Sequence, residues 1–333
     1  MNRKNYDEIK KKFGNYISIW KTREIEKIDE IFIPNVRTYM STAIKMPNGS
    51  QDSIFGIRDF INDFPQTDIF RPKIYNYVCR FNENEGQQYA EVHCVALNFR
   101  SDSDILDNFE FVCMISNHWI HTSEGWKIDL MKMDVAPMYG SLRKLFEKSW
   151  YLQDSIGLDH SPRLNCIIGE IDSPWEVIKN SESVLSDKEK IKETMSKYAY
   201  GEDQMVFLYC YDAFSDYYGV GGQMTNREGK IHWITNIKNK RVRDRYWVHP
   251  FKFVNIEIDG DRAYAIVERP TGHKQRVSEY KWTKHNYLNE YCCAKMQLEF
   301  MKEDGIWRLV YSDYYLGLYE TEMYDNTIYG DLV

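Results

Sequence analysis

Three stretches in the first half of this 333-residue chain return in the second half, in the same order and at similar spacing. "GWKIDL" is echoed by "IWRLVY", which pairs Trp126 with Trp307 at an offset of 181. "QYAEV" is echoed by "AYAIV" (Tyr89 with Tyr264, offset 175), and "FGIRDFI" by "EGKIHWI" (Gly56 with Gly229, offset 173). A pattern repeated at about half the chain length points to one supersecondary unit used twice. Whatever fold is assigned must therefore be one that half of the chain can complete.

Each copy reads as helices followed by antiparallel strands. In the first, Ile9, Phe13, Ile17 and Trp20 recur at helical spacing. "TREIEKIDEIFI" reads as a short helix running into a strand, and "SIFGIRDFINDF" places Ile54, Ile57, Ile61 and Phe64 on one helix face. The strands "IYNYVCRF", "QYAEVHCVALNF", "FEFVCMISNHWI" and "GWKIDLMKM" follow, with turns at "NENEG" and Glu124-Gly125. In the second copy Ser186 and Glu189 form a capping box opening a helix, and Thr225 with Glu228 forms another. The hairpin "FKFVNIEIDGDRAYAIV" comes next, then "EYCCAKMQLEFMK" and "IWRLVYSDYY", joined at Asp304-Gly305. This order is α+β. In "FKFVNIEI", Phe251 and Phe253 keep one phase while Val254, Ile256 and Ile258 keep the other. The slip of one residue predicts a β-bulge, which bends a strand. A bent sheet curling around a helix encloses a cone-shaped cavity. The expected organisation is a first domain over 1–135, a partly helical connector over 136–185, a second domain over 186–320 and a tail over 321–333. Ser173, Pro174 and Glu176 mark a helix start within the connector.

Composition narrows the partners. The net charge of −7 disfavours nucleic acid and anionic membranes. No apolar run is long enough to span a bilayer, and the N-terminus lacks the apolar stretch of a secretory leader. The seven cysteines are odd in number, contain no CxxC, and include the adjacent pair Cys292-Cys293. They read as reduced thiols of a cytoplasmic protein. Aromatic residues, 15% of the chain, suit β-rich cores or an aromatic-lined pocket.

Several residues are candidates for chemistry. His249, at the entrance to the hairpin, suits acid–base work because imidazole titrates near neutral pH. Tyr217 or Tyr218 offers a hydroxyl to polarise a carbonyl, set against simple core packing. Glu91 and His93 share a strand face with Tyr89, Val95 and Leu97, so they form either a base and its orienter or an exposed polar face. At the duplicated positions only Glu268 keeps a carboxylate. His118 and His121 lie three apart on a strand and so point to opposite faces, and no HExxH occurs; no metal site is expected. "GVGGQM" (219–224) lacks the Lys-Ser/Thr of a phosphate loop and reads as a flexible loop. The basic run "KNKRVRDR" (238–245) reads as a solvated helix end. The polar and aromatic excursion 271–290 is either a lid or a surface hairpin.

The stretches "HPFKFVNIEIDGDRAYAIV" and "EDGIWRLVYSDYY", with "NEGQQYAEVHCVA" and "EGWKIDLMKMDV" in the first half, resemble the nuclear-transport-factor-2-like superfamily. The resemblance is to its SnoaL-like polyketide cyclase and dehydratase branch, over about residues 20–135 and 186–318. It implies two tandem cone-shaped domains, each a strongly curved antiparallel sheet wrapped around helices. It puts the family's cavity acid–base at His249 and its carbonyl-binding tyrosine at Tyr217 or, one residue on, at Tyr218. The family's Tyr-Asp pair falls on "KYAYGED", with Tyr200 or Gly201 at the aspartate's place and Asp203 nearby. In the first copy Ile74 or Tyr75 stands where the histidine belongs. The implied activity is a dehydratase, isomerase or cyclase needing no cofactor. Its substrate would be an apolar hydroxylated or carbonyl-bearing small molecule in the second domain, contacted by Tyr200, Asp203, Tyr218, Glu268, Glu91 and His93. The missing aspartate and the missing first-domain histidine motivate the alternative, a noncatalytic ligand-binding or protein-interaction module. Sheets of this fold often bury one face against a second copy. The duplication therefore implies pairing of the two domains within one chain, with a homo-oligomer as a further option.

Overall fold

The computed structural model describes residues 3–40, 54–137, 139–146, 166–181, 184–220, 223–224, 226–243, 248–270 and 274–322. Helix α1 (Arg3–Thr22) buries Tyr6, Ile9, Phe13, Ile17 and Trp20 along one stripe, the face its apolar spacing predicts. A 3₁₀ turn (Ile25–Glu30) leads into β1 (Phe32–Met40), followed by α2 (Ile54–Asn62). Four long strands come next: β2 (Ile69–Phe81), β3 (Glu85–Asn98), β4 (Asp107–Thr122) and β5 (Gly125–Pro137). They form a sheet in the order β1-β5-β4-β3-β2, antiparallel except where β1 runs parallel to β5.

The connector contributes α3 (Arg143–Phe146) and α4 (Pro174–Val177). Ser173 caps α4, its hydroxyl accepting from the Trp175 amide at 3.2 Å. The second unit comprises α5 (Asp187–Asp203), α6 (Phe207–Ala213), β6 (Phe214–Val220), β7 (Gln223–Met224) and α7 (Arg227–Arg243). It continues with β8 (Lys252–Asp259), β9 (Arg262–Arg269), α8 (Lys274–Glu279), β10 (Asn289–Glu303) and β11 (Ile306–Glu322). Its sheet runs β7-β6-β11-β10-β9-β8, with β6 parallel to β11. Without the two-residue β7, this is the order of the first sheet strand for strand. The chain is thus α+β, two tandem units each built of a curved, mainly antiparallel sheet around helices. Trp126 and Trp307 are both fully buried just after the last hairpin turn of their units.

Local chemistry explains these elements. Ser186 and Glu189 make the capping box that opens α5. Thr225 lies outside the described residues; at the start of α7, Asn226 Oδ1 accepts from the Gly229 amide at 2.9 Å. Asp304 and Gly305 both have positive φ, 52° and 79°, the requirement of the tight turn between β10 and β11. The β8–β9 register slips between Phe253 and Asn255, so Val254 is the bulged residue and is 51% exposed. The β2–β3 register slips between Tyr75 and Val78, and there Asn76 adopts φ 50°.

The two units meet across the outer face of the first sheet. Tyr89, Glu91, His93, Val95 and Leu97 are all buried there. The excursion over 271–290 is neither lid nor free hairpin within its described part. Val277, Tyr280 and Trp282 pack with Val95, Leu97 and Leu106, clasping the first sheet. A buried ionic network lies beside it. Glu290 takes Lys73 at 3.2 Å, the Tyr75 hydroxyl at 2.5 Å and Lys252 at 3.3 Å, and Lys252 also reaches Glu268 at 3.2 Å. Burial works to raise the Glu290 carboxyl, but Lys73 and Lys252 hold it below its usual range.

Candidate active site

The second unit encloses a cavity of about 390 Å³ between α5, α7 and the concave side of its sheet. Phe214, Ile237, Phe251 and Leu309 give it apolar walls. Along α5, Met195, Tyr198 and Glu202 face it, at the i, i+3 and i+7 spacing that one helix face demands. His249 lines the cavity just before β8 and is 4% exposed. Its Nδ1 lies 2.6 Å from Asp203 Oδ1, while Asp203 Oδ2 accepts the His249 amide at 3.0 Å. Ring and backbone are therefore gripped by one carboxylate from the last residue of α5. On the other side, Nε2 lies 2.9 Å from Glu202 Oε2. The Tyr198 hydroxyl donates to Glu202 Oε1. Burial, reinforced by Glu202, holds the Tyr198 hydroxyl well above its usual pKa, so it stays a donor. The result is a chain Tyr198–Glu202–His249–Asp203. One proton can pass between Glu202 and His249 while Asp203 holds the ring.

The remaining candidates are distributed differently. Tyr217 is 64% exposed and is not among the residues that line the cavity. Adjacent strand residues face opposite sides of a sheet, and it is Tyr218 that lines the cavity. Tyr218 stacks on Phe214 at 4.4 Å and shares a hydrogen bond with the Ser312 hydroxyl. Burial pushes its pKa up to about 12. Tyr200 lies outside the cavity. Its hydroxyl donates to Gly169 O at 2.6 Å and its ring meets Tyr89 at 4.7 Å, because two residues from Tyr198 and Glu202 is the wrong side of the helix. Asp203 stands behind His249, not in the cavity wall. Glu268 belongs to the ionic network with Lys252.

Glu91 and His93 also lie outside the cavity, in the interface between units. His93 Nε2 is 3.3 Å from Glu110, which also accepts from Tyr291 and Trp282. Glu91 adjoins Asp203, and burial together with that neighbouring charge pushes its carboxyl well above the usual range. Its Oε1 accepts from Asn76 at 2.8 Å, and Oε2 finds no donor among the described residues. Burial and the neighbouring Asp203 charge thus both favour the neutral form of Glu91. Asn76 completes the support: its amide donates to His249 O at 2.7 Å and accepts from the Phe251 amide at 3.2 Å. The first unit thus holds the backbone at the histidine carbonyl and just after it.

Sequence reasoning missed Tyr198, Glu202, Arg269, Tyr314 and Asn76. For the α5 pair the spacing with Met195 was the available cue. Arg269 follows Glu268 on β9 and so faces the opposite side, into the cavity. Its Nη1 donates to the Tyr314 hydroxyl at 2.8 Å and its Nη2 to Val248 O at 3.4 Å. His118 is engaged by Asp129 at 2.5 Å and Glu85 at 3.4 Å, and the His121 ring packs on Trp126. Among the described residues there is no cluster of three or more side chains suited to hold a metal. Nor is any described helix long and apolar enough to cross a membrane.

No protein-family model matches the sequence, and comparison with curated proteins gives no match. Solved structures do show similarity. One is a Kribbella flavida protein, 15% identical over 43% of this chain and 97% of that one, with a TM-score of 0.35. Another is an NTF2-like protein with a cystatin-like fold from Novosphingobium aromaticivorans (14% identity, 42% and 88% covered, TM-score 0.30). A third is the hexachlorocyclohexane dehydrochlorinase LinA-type3 from Novosphingobium barchaimii (12% identity, 39% and 84% covered, TM-score 0.29). The chain is similar to nuclear-transport-factor-2-like proteins. What its cavity does is argued below from the side chains that line it.

Proposed function

We propose that the second unit is a cofactor-independent lyase or isomerase of the dehydratase, isomerase or cyclase type. Its substrate is an apolar molecule carrying a hydroxyl or carbonyl. The observation that carries this reading is His249: buried, lining a 390 Å³ cavity, gripped by Asp203 and in proton-sharing contact with Glu202. In this reading Glu202 and His249 take a proton from one substrate atom and return one to another. Asp203 keeps the imidazole oriented, and Tyr218 and Arg269 face the substrate oxygen. Positioned acid–base groups of this kind supply roughly 10²- to 10⁴-fold of rate.

His249→Ala is expected to keep the fold and ligand binding and to lose about that factor in kcat. The test starts with thermal shifts of wild type and variant against hydroxylated aromatics and ketones, followed by turnover assays on the hits. A ligand at about 100 times its Kd adds about 2.7 kcal/mol of stability. An alanine variant that turns over as fast as wild type sinks the catalytic role of His249. Ligand binding by both proteins with no turnover by wild type points instead to a noncatalytic binding module.

A further inference from the structure

We infer that the cavity of the second unit takes the carboxylate of an apolar monocarboxylic acid, with Arg269 as its anchor. The inference rests on the reading above that this cavity receives a small molecule, and it adds the substrate's charged group.

Arg269 is unusual among the buried cations of this protein. Lys73 and Lys252 share Glu290, and Lys230 pairs with Asp216 at 3.1 Å. Arg269 is 8% exposed, yet among the described residues no carboxylate is hydrogen-bonded to it. Its partners are a neutral hydroxyl and a backbone carbonyl, Tyr314 and Val248. Glu202 acts on it through its field, but the two Glu202 oxygens are engaged by Tyr198 and His249. A buried cation without an anion is costly, and the usual remedy is a paired, hydrogen-bonded anion.

The second observation is a surplus of donors. Guanidinium carries five N–H groups and no acceptor, and the Nε–H of Arg269 has no partner among the described residues. Trp233, on α7 across the same cavity, has an indole N–H that is also without one. Both residues line one cavity, whose only charged donor among its described lining residues besides the histidine is the guanidinium of Arg269. A planar carboxylate matches the guanidinium fork. A phosphate would add a further charge beside Glu202. The apolar walls of Phe214, Ile237, Phe251 and Leu309 set the rest of the ligand.

The test is calorimetric titration of the full chain with naphthoate and with naphthamide, its neutral counterpart of nearly the same shape. Wild type should bind naphthoate about tenfold or more tightly than naphthamide, the margin of one charge-assisted hydrogen bond. Arg269→Met should abolish that margin and still bind the amide. Should the methionine variant not fold, Arg269→Gln replaces it, and the wild-type comparison stands without either. Equal affinity for acid and amide, or a margin that survives the loss of Arg269, overturns the carboxylate assignment and leaves the cavity reading intact. Failure of both compounds to bind overturns both.

Discussion

The two units share one strand order and fill their interiors differently. In the first, rings pack against rings: Trp20 against Phe64 at 5.5 Å, Phe60 against Phe64 at 4.9 Å, and Phe109 against Phe146 at 4.8 Å. In the second, the concave side of the sheet keeps a 390 Å³ cavity with a histidine, a glutamate and an arginine in its wall. Their polar residues are used differently too. The first unit turns Lys73, Asn76, Glu91 and His93 outward against its partner, and the second turns His249 and Glu202 inward. A shared topology thus fixes where strands lie and leaves each unit free to choose which side carries chemistry. The first unit supports, and the second holds the candidate site.

The most direct way to break this division of labour is to open the interface. Glu290→Ala leaves Lys73 and Lys252 buried with their shared carboxylate gone, and should cost about 3–5 kcal/mol. Urea unfolding would read this as a lowered midpoint. A loss below about 1 kcal/mol would show that the units do not depend on each other through this network. Next comes the contrast between interiors. Phe60→Ala in the ring-filled core should cost about 3–5 kcal/mol, whereas Met296→Ala, in a wall that already borders a void, should sit near the low end of its usual 2–5 kcal/mol. Equal costs would mean that the second interior is as well packed as the first.

How much of this was legible in the residues follows the same division. The repeated order of elements, the capping box at Ser186 and the bulge at Val254 rest on local pattern, and local pattern survives folding. Tyr217 and Tyr218 differ by one step of strand phase, and seven residues of β6 carry too little alternation to fix which faces inward. Glu91 and His93 fail for another reason. Their shared phase marks a polar face correctly, but a polar face against solvent and one against a partner sheet read alike. Glu202 shares the helical spacing of Met195 and Tyr198, a cue that was present in the sequence, whereas which of Glu268 and Arg269 faces inward depends on the finished sheet. Asn76 was illegible because its role depends on residues 173 and 175 positions away.

A smaller effect sharpens the supporting role. Asn76→Gly keeps the positive φ without strain and removes the side chain that bonds His249 O, the Phe251 amide and Glu91 Oε1. It should cost about 1–3 kcal/mol for the buried groups left unpaired. Ligand affinity should fall with it, because the backbone just after His249 is no longer fixed. A loss of stability with unchanged affinity would confine Asn76 to the interface.

The smallest expected effect at acid pH is also the most specific. Glu91 is held well above the usual carboxylate range by burial and by Asp203. An acid whose folded pKa is raised stabilises the fold fully below its unfolded value, about 4.3, and that contribution is lost as pH rises through the folded value. Glutamine keeps a neutral donor toward Asp203 and cannot ionise. Glu91→Gln should therefore match wild type within about 0.5 kcal/mol near pH 4, and become the more stable protein as pH rises, by up to about 1.4 kcal/mol per unit. Urea midpoints for both proteins across the neutral range read the difference. Parallel curves would mean that Glu91 ionises freely in the folded protein. Diverging curves would mean that the first unit holds a neutral carboxyl next to Asp203, which grips His249. The second unit on its own would then be missing part of what holds His249 in place.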